Sequence, residues 1–200
     1  TGAVVFESVP AYAFALGVPV DVPGHGPAEV DIGYGGAYYA LVPASVFGLS
    51  VRGSRVADLA EAADRVTQAA KAQIKLDHPS DPDLAFLYGT ILTDGRDAHE
   101  EAPTANVCVF AEREVDRSPT GSGVTARIAV QVARGQIGLG QMRKFESVTG
   151  AIFTGKAVRG TKAGRHDAVI VEVGGRAHYT GASHYTVEPD DLLGGGFLLR

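Results

Sequence analysis

The sequence predicts an α+β fold in which a curved, mixed or antiparallel sheet wraps a helix. Three observations carry this. Strand-like runs are short and numerous. Only two segments show sustained helical spacing. No internal repeat or low-complexity stretch interrupts the chain.

Val4 to Ala15 and Val18 to Val22 read as strands, with Pro10 at an edge or bend. Pro23-Gly24-His25-Gly26-Pro27 is a turn by composition. Glu29–Ile32 and Ala37–Val42 are short strands around Gly33, Gly35 and Gly36. Glycines in a strand pattern mark a bulge or a close backbone approach. From Val56 to Ile74, the residues Leu59, Ala63, Val66, Ala70 and Ile74 share one face, and Asp58, Glu61, Asp64, Arg65 and Lys71 lie elsewhere. That pattern is an amphipathic helix. Asp77 to Asp83 is a polar loop broken by prolines, Phe86–Thr93 a strand, and Asp94–Pro103 a charged, exposed loop.

Val107 to Phe110 is the next strand, and Asp116 to Gly123 is a turn. Val124 to Arg134 has Val124, Ile128 and Val132 at helical spacing, and Gly135 stands where a helix stops. Glu146–Arg159 alternates like a strand pair broken at Gly150 and Gly155. Ala168–Val173 is strand-like, and Gly174-Gly175 fits a two-residue hairpin. Ala177–Thr180 and Ser183–Val187 read as strands, and Gly194–Gly196 as a loose turn before Phe197–Leu199.

Composition narrows the function. Eighteen basic residues against 23 acidic ones give a net charge of −5. No basic stripe stands out, which argues against nucleic acid as a partner. No apolar run reaches the length of a membrane span, and no secretory pattern opens the chain. The single cysteine, Cys108, excludes an internal disulfide framework and fits a reducing, cytoplasmic compartment.

The run Val115-Asp-Arg-Ser-Pro-Thr-Gly-Ser-Gly-Val124 puts a carboxylate, a hydroxyl and a glycine-rich turn just ahead of a helix. A helix start offers unpaired N–H groups and partial positive charge. Two glycines there let a ligand approach the backbone, so the run suits a carboxylate or phosphate. The same residues also fit a plain capped helix with Thr120 or Ser122 as N-cap. Gly121-x-Gly123 lacks the third glycine and the later acid of a dinucleotide fingerprint, and no Gly-Lys-Ser/Thr follows.

The order of these residues resembles the proline racemase family, which includes 4-hydroxyproline epimerases and trans-3-hydroxy-L-proline dehydratases. The resemblance continues through Phe6–Pro10, Val30–Ala40, Asn106–Phe110, Phe145–Gly150, Tyr179–Gly181 and Asp190–Phe197, nearly the whole chain in collinear order. It implies a diaminopimelate-epimerase-like lobe and cofactor-independent chemistry without a metal. Family members pair two such lobes across a cleft, and the first carries a catalytic Cys in a Met-Cys-Gly-His type motif. Nothing like that motif occurs here, and the chain opens at Thr1. The resemblance therefore implies that residues 1–189 form the second lobe, that 190–200 return to an absent first lobe, and that the full enzyme is a homodimer.

Racemases and epimerases of the family carry Cys at the second catalytic position; the dehydratase branch carries Thr, and Thr120 stands there. Two opposed thiols can move a proton from one face of the α-carbon to the other. A Thr hydroxyl is not a competent base near neutral pH without activation. One remaining base still supports proton abstraction, and a hydroxyl on the neighbouring carbon can then leave as water. This implies dehydration of trans-3-hydroxy-L-proline to 1-pyrroline-2-carboxylate. The alternatives are a 4-hydroxyproline epimerase or proline racemase, and a non-catalytic binding module. By the same resemblance Thr120 is catalytic, Asp116 meets the ring ammonium, Gly121 and Ser122 receive the carboxylate, and Phe110 lines the pocket. Ser122 replaces the Thr of many relatives. Asp116 also fits a turn cap, and Phe110 a core residue.

Other candidates are weaker. Cys108 sits in an apolar strand and reads as a buried, unreactive thiol. His78, with Asp77, Asp81 and Asp83, lacks ligand spacing and reads as a solvated turn. His99 reads as loop, and His178 and His184 as structural residues of strands.

Overall fold

The computed structural model describes residues 2–197. The strands are β1 (Ala3–Glu7), β2 (Tyr12–Val22), β3 (Gly26–Tyr34), β4 (Tyr38–Pro43), β5 (Leu87–Thr93), β6 (Thr104–Phe110), β7 (Glu114–Val115), β8 (Met142–Glu146), β9 (Ile152–Ala163) and β10 (His166–Arg176). The helices are α1 (Val56–Gln73) and α2 (Gly121–Ala133). The sheet runs β1-β10-β9-β8-β6-β5-β4-β3-β2, with β7 paired to β6. The pairs β4/β5 and β6/β8 are parallel and the others antiparallel. The fold is α+β with a mixed sheet.

The sheet curls until its far strands meet. Ala11 bridges Val169, and the Ser8 amide donates to Val171 O at 2.8 Å. α2 lies inside the curl, against β2, β3, β4, β9 and β10. Gly123 to Gln131 are all buried. A helix buried all round needs apolar or small residues on every face, and Val124, Ala126, Ile128, Ala129 and Val130 supply them.

α1 covers the outer face. Its buried stripe of Leu59, Ala63, Val66, Thr67 and Ala70 packs on β5, β2, β6 and β4. Side chains alternate across a strand, and β5 and β6 divide accordingly. Ile91 and Cys108 face the α2 side; Leu92, Val107 and Val109 face the α1 side. The glycines of β3 and the turn after it make room for α2. A Cβ at Gly35 would sit 2.3 Å from Ser122 O and 2.5 Å from Ala126 N.

Several expectations need correction. α2 starts at Gly121, not Val124, because its first turn is built from Gly and Ser, which carry no apolar signal. The first expected strand, Val4–Ala15, divides at Ser8–Ala11, where the regular ladder with β10 is broken and only Ser8 and Ala11 still bond to it before β2 begins. Gly174-Gly175 is not a hairpin; both lie within β10, paired with Val5 and Val4 of β1. They are small because a Cβ there would meet Thr154 Oγ1 at 2.5 Å or the Phe153 ring at 2.6 Å. Gly155 likewise sits inside β9, against Val124. The hairpin of β9 and β10 turns at Gly164, whose φ is +56°. Ala177–Thr180 and Ser183–Val187 are not strands. They run exposed without regular structure, so their alternation has no sheet to serve. Of the Phe197–Leu199 expectation, Leu198 and Leu199 lie outside the described residues.

Candidate active site

The turn between β7 and α2 holds the candidate site. Asp116 is tied to β6 by its amide, which donates to Cys108 O at 3.0 Å. Its carboxylate organises the rest of the turn: the Ser118 amide donates to Oδ1 and the Thr120 hydroxyl to Oδ2, each at 2.8 Å. The Thr120 amide donates to Ser118 Oγ at 3.0 Å. Asn106 Nδ2 reaches Pro119 O at 3.3 Å. The Ser147 and Thr149 hydroxyls both donate to Arg117 O at 2.7 Å.

Thr120 is buried and has φ +69°, ψ 102°. Positive φ is a genuine outlier for a β-branched residue, and such strain persists only where the surroundings impose it. The Asp116 bond and the Val124 amide on Thr120 O, at 2.7 Å, hold it there. The plain-cap reading therefore fails: Thr120 occupies the cap position, but its side chain makes no capping bond. Ser122 lies inside the first turn, and its hydroxyl meets the Tyr39 hydroxyl at 2.7 Å.

The first amides of a helix have no intrahelical acceptor; here they belong to Gly121, Ser122 and Gly123. Gly121 is open, with only the Phe6 ring edge near where a Cβ would be, at 3.8 Å. Gly123 has no such room, since a Cβ would come within 2.6 Å of Ile91 Cδ1. Phe110 is half-buried. Its ring stacks on Tyr88 with centroids 5.2 Å apart, and Tyr88 meets Tyr39 edge-on at 5.6 Å. It packs against the Cys108 and Ala126 cluster, the core aspect expected of it.

Asp116, Thr120, Gly121 and Ser122 thus form one short arc, with Phe110 at the end of the adjoining strand. Chemically the arc offers a carboxylate, a hydroxyl and convergent amides at a positive helix end, a setting for a zwitterion. Cys108 lies behind it, fully buried. Burial pushes its thiol up to about 12, with the Thr120 hydroxyl opposing and the Asp116 carboxylate adding to the rise. It is a protonated thiol, not a nucleophile.

Sequence reasoning missed Tyr39, Asn106, Ser147 and Thr149. Tyr39 had a signal, a polar-tipped residue in an apolar strand after two glycines. The others act through backbone carbonyls and leave no pattern. His78 packs on Tyr34 at 4.9 Å and accepts the Asp81 amide, so it belongs to its turn. Among the described residues, no group of three or more His, Cys, Asp or Glu is placed to hold a metal ion. His178 and His184 are exposed in the irregular tail rather than in strands. No helix among the described residues is long and apolar enough to cross a membrane.

The proline racemase family model matches residues 1–198. This chain belongs to the proline racemase family. It is 60 % identical over 201 residues to the trans-L-3-hydroxyproline dehydratase of Xenopus tropicalis, covering all of this chain and 58 % of that protein. It is 58 % identical to the human trans-3-hydroxy-L-proline dehydratase, covering 56 % of it. The chain therefore spans a little over half the length of these curated relatives. Among solved structures, a hydroxyproline epimerase from Agrobacterium vitis with bound trans-4-hydroxy-L-proline superposes with TM-score 0.88 at 27 % identity, over 98 % of this chain and 56 % of that one. A probable proline racemase from Agrobacterium radiobacter with bound carbonate gives the same TM-score and identity, over 98 % of this chain and 57 % of that one.

Proposed function

We propose that residues 1–189 are the second lobe of a cofactor-independent trans-3-hydroxy-L-proline dehydratase, and that 190–200 return to a first lobe. The observation that carries this reading is the Thr120 hydroxyl donating to Asp116, at the residue the family resemblance assigns to the second catalytic position. The relatives at 58–60 % identity, named dehydratases of this substrate, support it.

In this reading the substrate carboxylate meets the Gly121, Ser122 and Gly123 amides, and its ring ammonium meets Asp116. A cysteine thiolate of the first lobe removes the α-proton. The C–H electron pair becomes a carbon–carbon double bond as the C3–O bond breaks. The departing oxygen takes up a proton and leaves as water, and the enamine tautomerises to 1-pyrroline-2-carboxylate. Thr120 has one hydrogen, given to Asp116 in the free site. When the ammonium takes over that carboxylate, the hydroxyl is released to turn toward the leaving oxygen. A lone Thr in place of a second thiol leaves no good donor for reprotonating the opposite face, which favours elimination over epimerisation. A homodimer in the cytoplasm completes the reading.

The likeness to a hydroxyproline epimerase favours a second reading, inversion at the α-carbon. Proton NMR in heavy water separates the two. The full-length protein containing this chain is incubated with trans-3-hydroxy-L-proline, trans-4-hydroxy-L-proline and L-proline. Loss of water from the first alone is expected. Deuterium entering the α-carbon of the others without water loss would overturn the dehydratase reading. Under that reading, Thr120→Cys should add measurable α-carbon exchange.

A further inference from the structure

Tyr39 lies on β4 with 1 % of its surface exposed, enclosed by Leu41, Ile91, Cys108 and Ala126. Burial raises its phenol pKa, so the hydroxyl keeps its proton. The phenol oxygen meets Ser122 Oγ at 2.7 Å, and either atom could donate. Two hydroxyls share one hydrogen bond: one hydrogen fills it and the other is free.

The surroundings decide which. Among the described residues, Ser122 Oγ is the acceptor the structure offers to Tyr39. If Ser122 donated, the phenol hydrogen would remain inside an apolar cluster with no acceptor. A buried unmade donor is costly. Ser122, in contrast, is only half-buried and sits on the open first turn of α2. Its hydrogen can reach a ligand.

We infer that Tyr39 is a positioning residue that donates to Ser122 and so aims the Ser122 hydrogen at the substrate carboxylate, adding a side-chain donor to the first amides of α2. The inference rests on the dehydratase reading for its substrate. It explains why a tyrosine, rather than a purely apolar residue, fills this core position. Without the phenol, the Ser122 hydroxyl loses the partner that fixes its rotamer, and its hydrogen is no longer aimed.

The test uses Tyr39→Phe in the full-length protein, which keeps the ring and the packing. Hydrogen bonds to charged groups are strong enough that losing one aligned donor costs about tenfold in affinity. The KM for trans-3-hydroxy-L-proline should rise by about that factor, with the loss falling on KM more than on kcat. In a Ser122→Ala background, Tyr39→Phe should add nothing further. Unchanged KM in Tyr39→Phe, or losses that add in the double variant, would overturn the inference. Calorimetric binding of L-proline and of prolinamide gives a readout independent of turnover. Tyr39→Phe should weaken L-proline by about tenfold and prolinamide, whose neutral amide oxygen accepts a weaker bond, by clearly less; equal effects on both would sink it. A wild-type protein that binds L-proline yet fails to dehydrate the substrate would fault the dehydratase reading, leaving the Tyr39 result to stand or fall by binding.

Discussion

The two halves of α2 treat polar groups in opposite ways. In the inner half the buried side-chain donors are satisfied within the fold, and only the Gln131 Oε1 acceptor finds no partner among the described residues. Arg127, 2 % exposed, donates to Asp97 Oδ1 from Nε at 2.9 Å and Nη2 at 2.8 Å, and to Thr104 Oγ1 at 2.7 Å. Its guanidinium also lies over the Phe145 ring, 5.5 Å from the centroid. Gln131 Nε2 donates to the same Asp97 oxygen at 2.8 Å. At the N-terminal end the first amides are left open, and Thr120 is held in a strained conformation. The inner half therefore secures the helix, while the outer turn keeps its first amides open, as the proposed reading requires. Substitutions in the two halves should then separate stability from activity.

Asp97→Ala should have the largest effect on stability. It leaves a buried guanidinium with only a more distant carboxylate, Asp94 at 3.7 Å. Breaking a buried pair from one side costs about 3 kcal/mol or more. Urea titration should show that loss, while substrate affinity of the folded fraction stays near wild type. A loss in affinity as large as the loss in stability would mean that the halves are not separable.

Gly35→Ala comes next, and it should affect both properties. The new methyl would press on Ser122 O and Ala126 N, which are helix backbone and cannot turn aside. Overpacking of this kind costs about 1–3 kcal/mol. The displaced turn carries Gly121 and Ser122, so KM should rise together with the drop in melting temperature. Gly160→Ala, where a Cβ meets nothing within 4 Å, is the matched control.

The same contrast explains which elements were legible in the sequence. α1 was readable because half of it faces solvent, so its period shows. The core of α2 was readable from Val124 onward, but its first turn was not, since Gly, Ser and Gly carry no period. Glycines misled most at Gly174-Gly175, where the demand for space looks the same in sequence as the demand for a turn. The residues of the arc were legible from their order, including Asp116 and Thr120. Their coupling was not, because a hydrogen bond four residues back and a positive φ depend on how Asn106, Ser147 and Thr149 hold the loop.

Thr120→Gly tests the strain at the open end. Glycine adopts φ +69° freely, which relieves about 1–3 kcal/mol. It also loses the bond to Asp116 and adds flexibility to the unfolded chain, worth about 1 kcal/mol. The melting temperature should therefore hold or rise slightly, while, under the dehydratase reading, turnover falls by about a hundredfold, in the range expected for losing a hydrogen bond that assists the leaving oxygen. A clear drop in melting temperature would show that Thr120 serves the fold instead.

The smallest effect concerns the seam where the sheet closes on itself. His166 stacks on Tyr12 with centroids 4.4 Å apart and tilts toward Phe14 at 5.8 Å. Its Nε2 is buried without a hydrogen-bond partner. Burial, with help from the Arg165 charge, holds its pKa below the usual histidine value, and Asp77, which pairs with Arg165, opposes only in part. Between that lowered value and about 6.5, the unfolded chain binds a proton that the folded chain refuses. Stability from this group is full above that window and declines as pH falls through it. Asp94 acts in the same direction but lower down. Burial would raise its pKa, yet the Ala105 amide, the Thr104 hydroxyl and the Arg96 amide together lower it, so its contribution is lost only on acidification below the ordinary carboxylate value. Melting temperatures taken from about pH 7 to about pH 5 should thus fall in the wild type. In His166→Phe, which keeps a stacked ring without a titrating nitrogen, that slope should flatten, and the site at the start of α2 should bind L-proline as before. An identical slope in the variant would place the acid sensitivity elsewhere in the molecule.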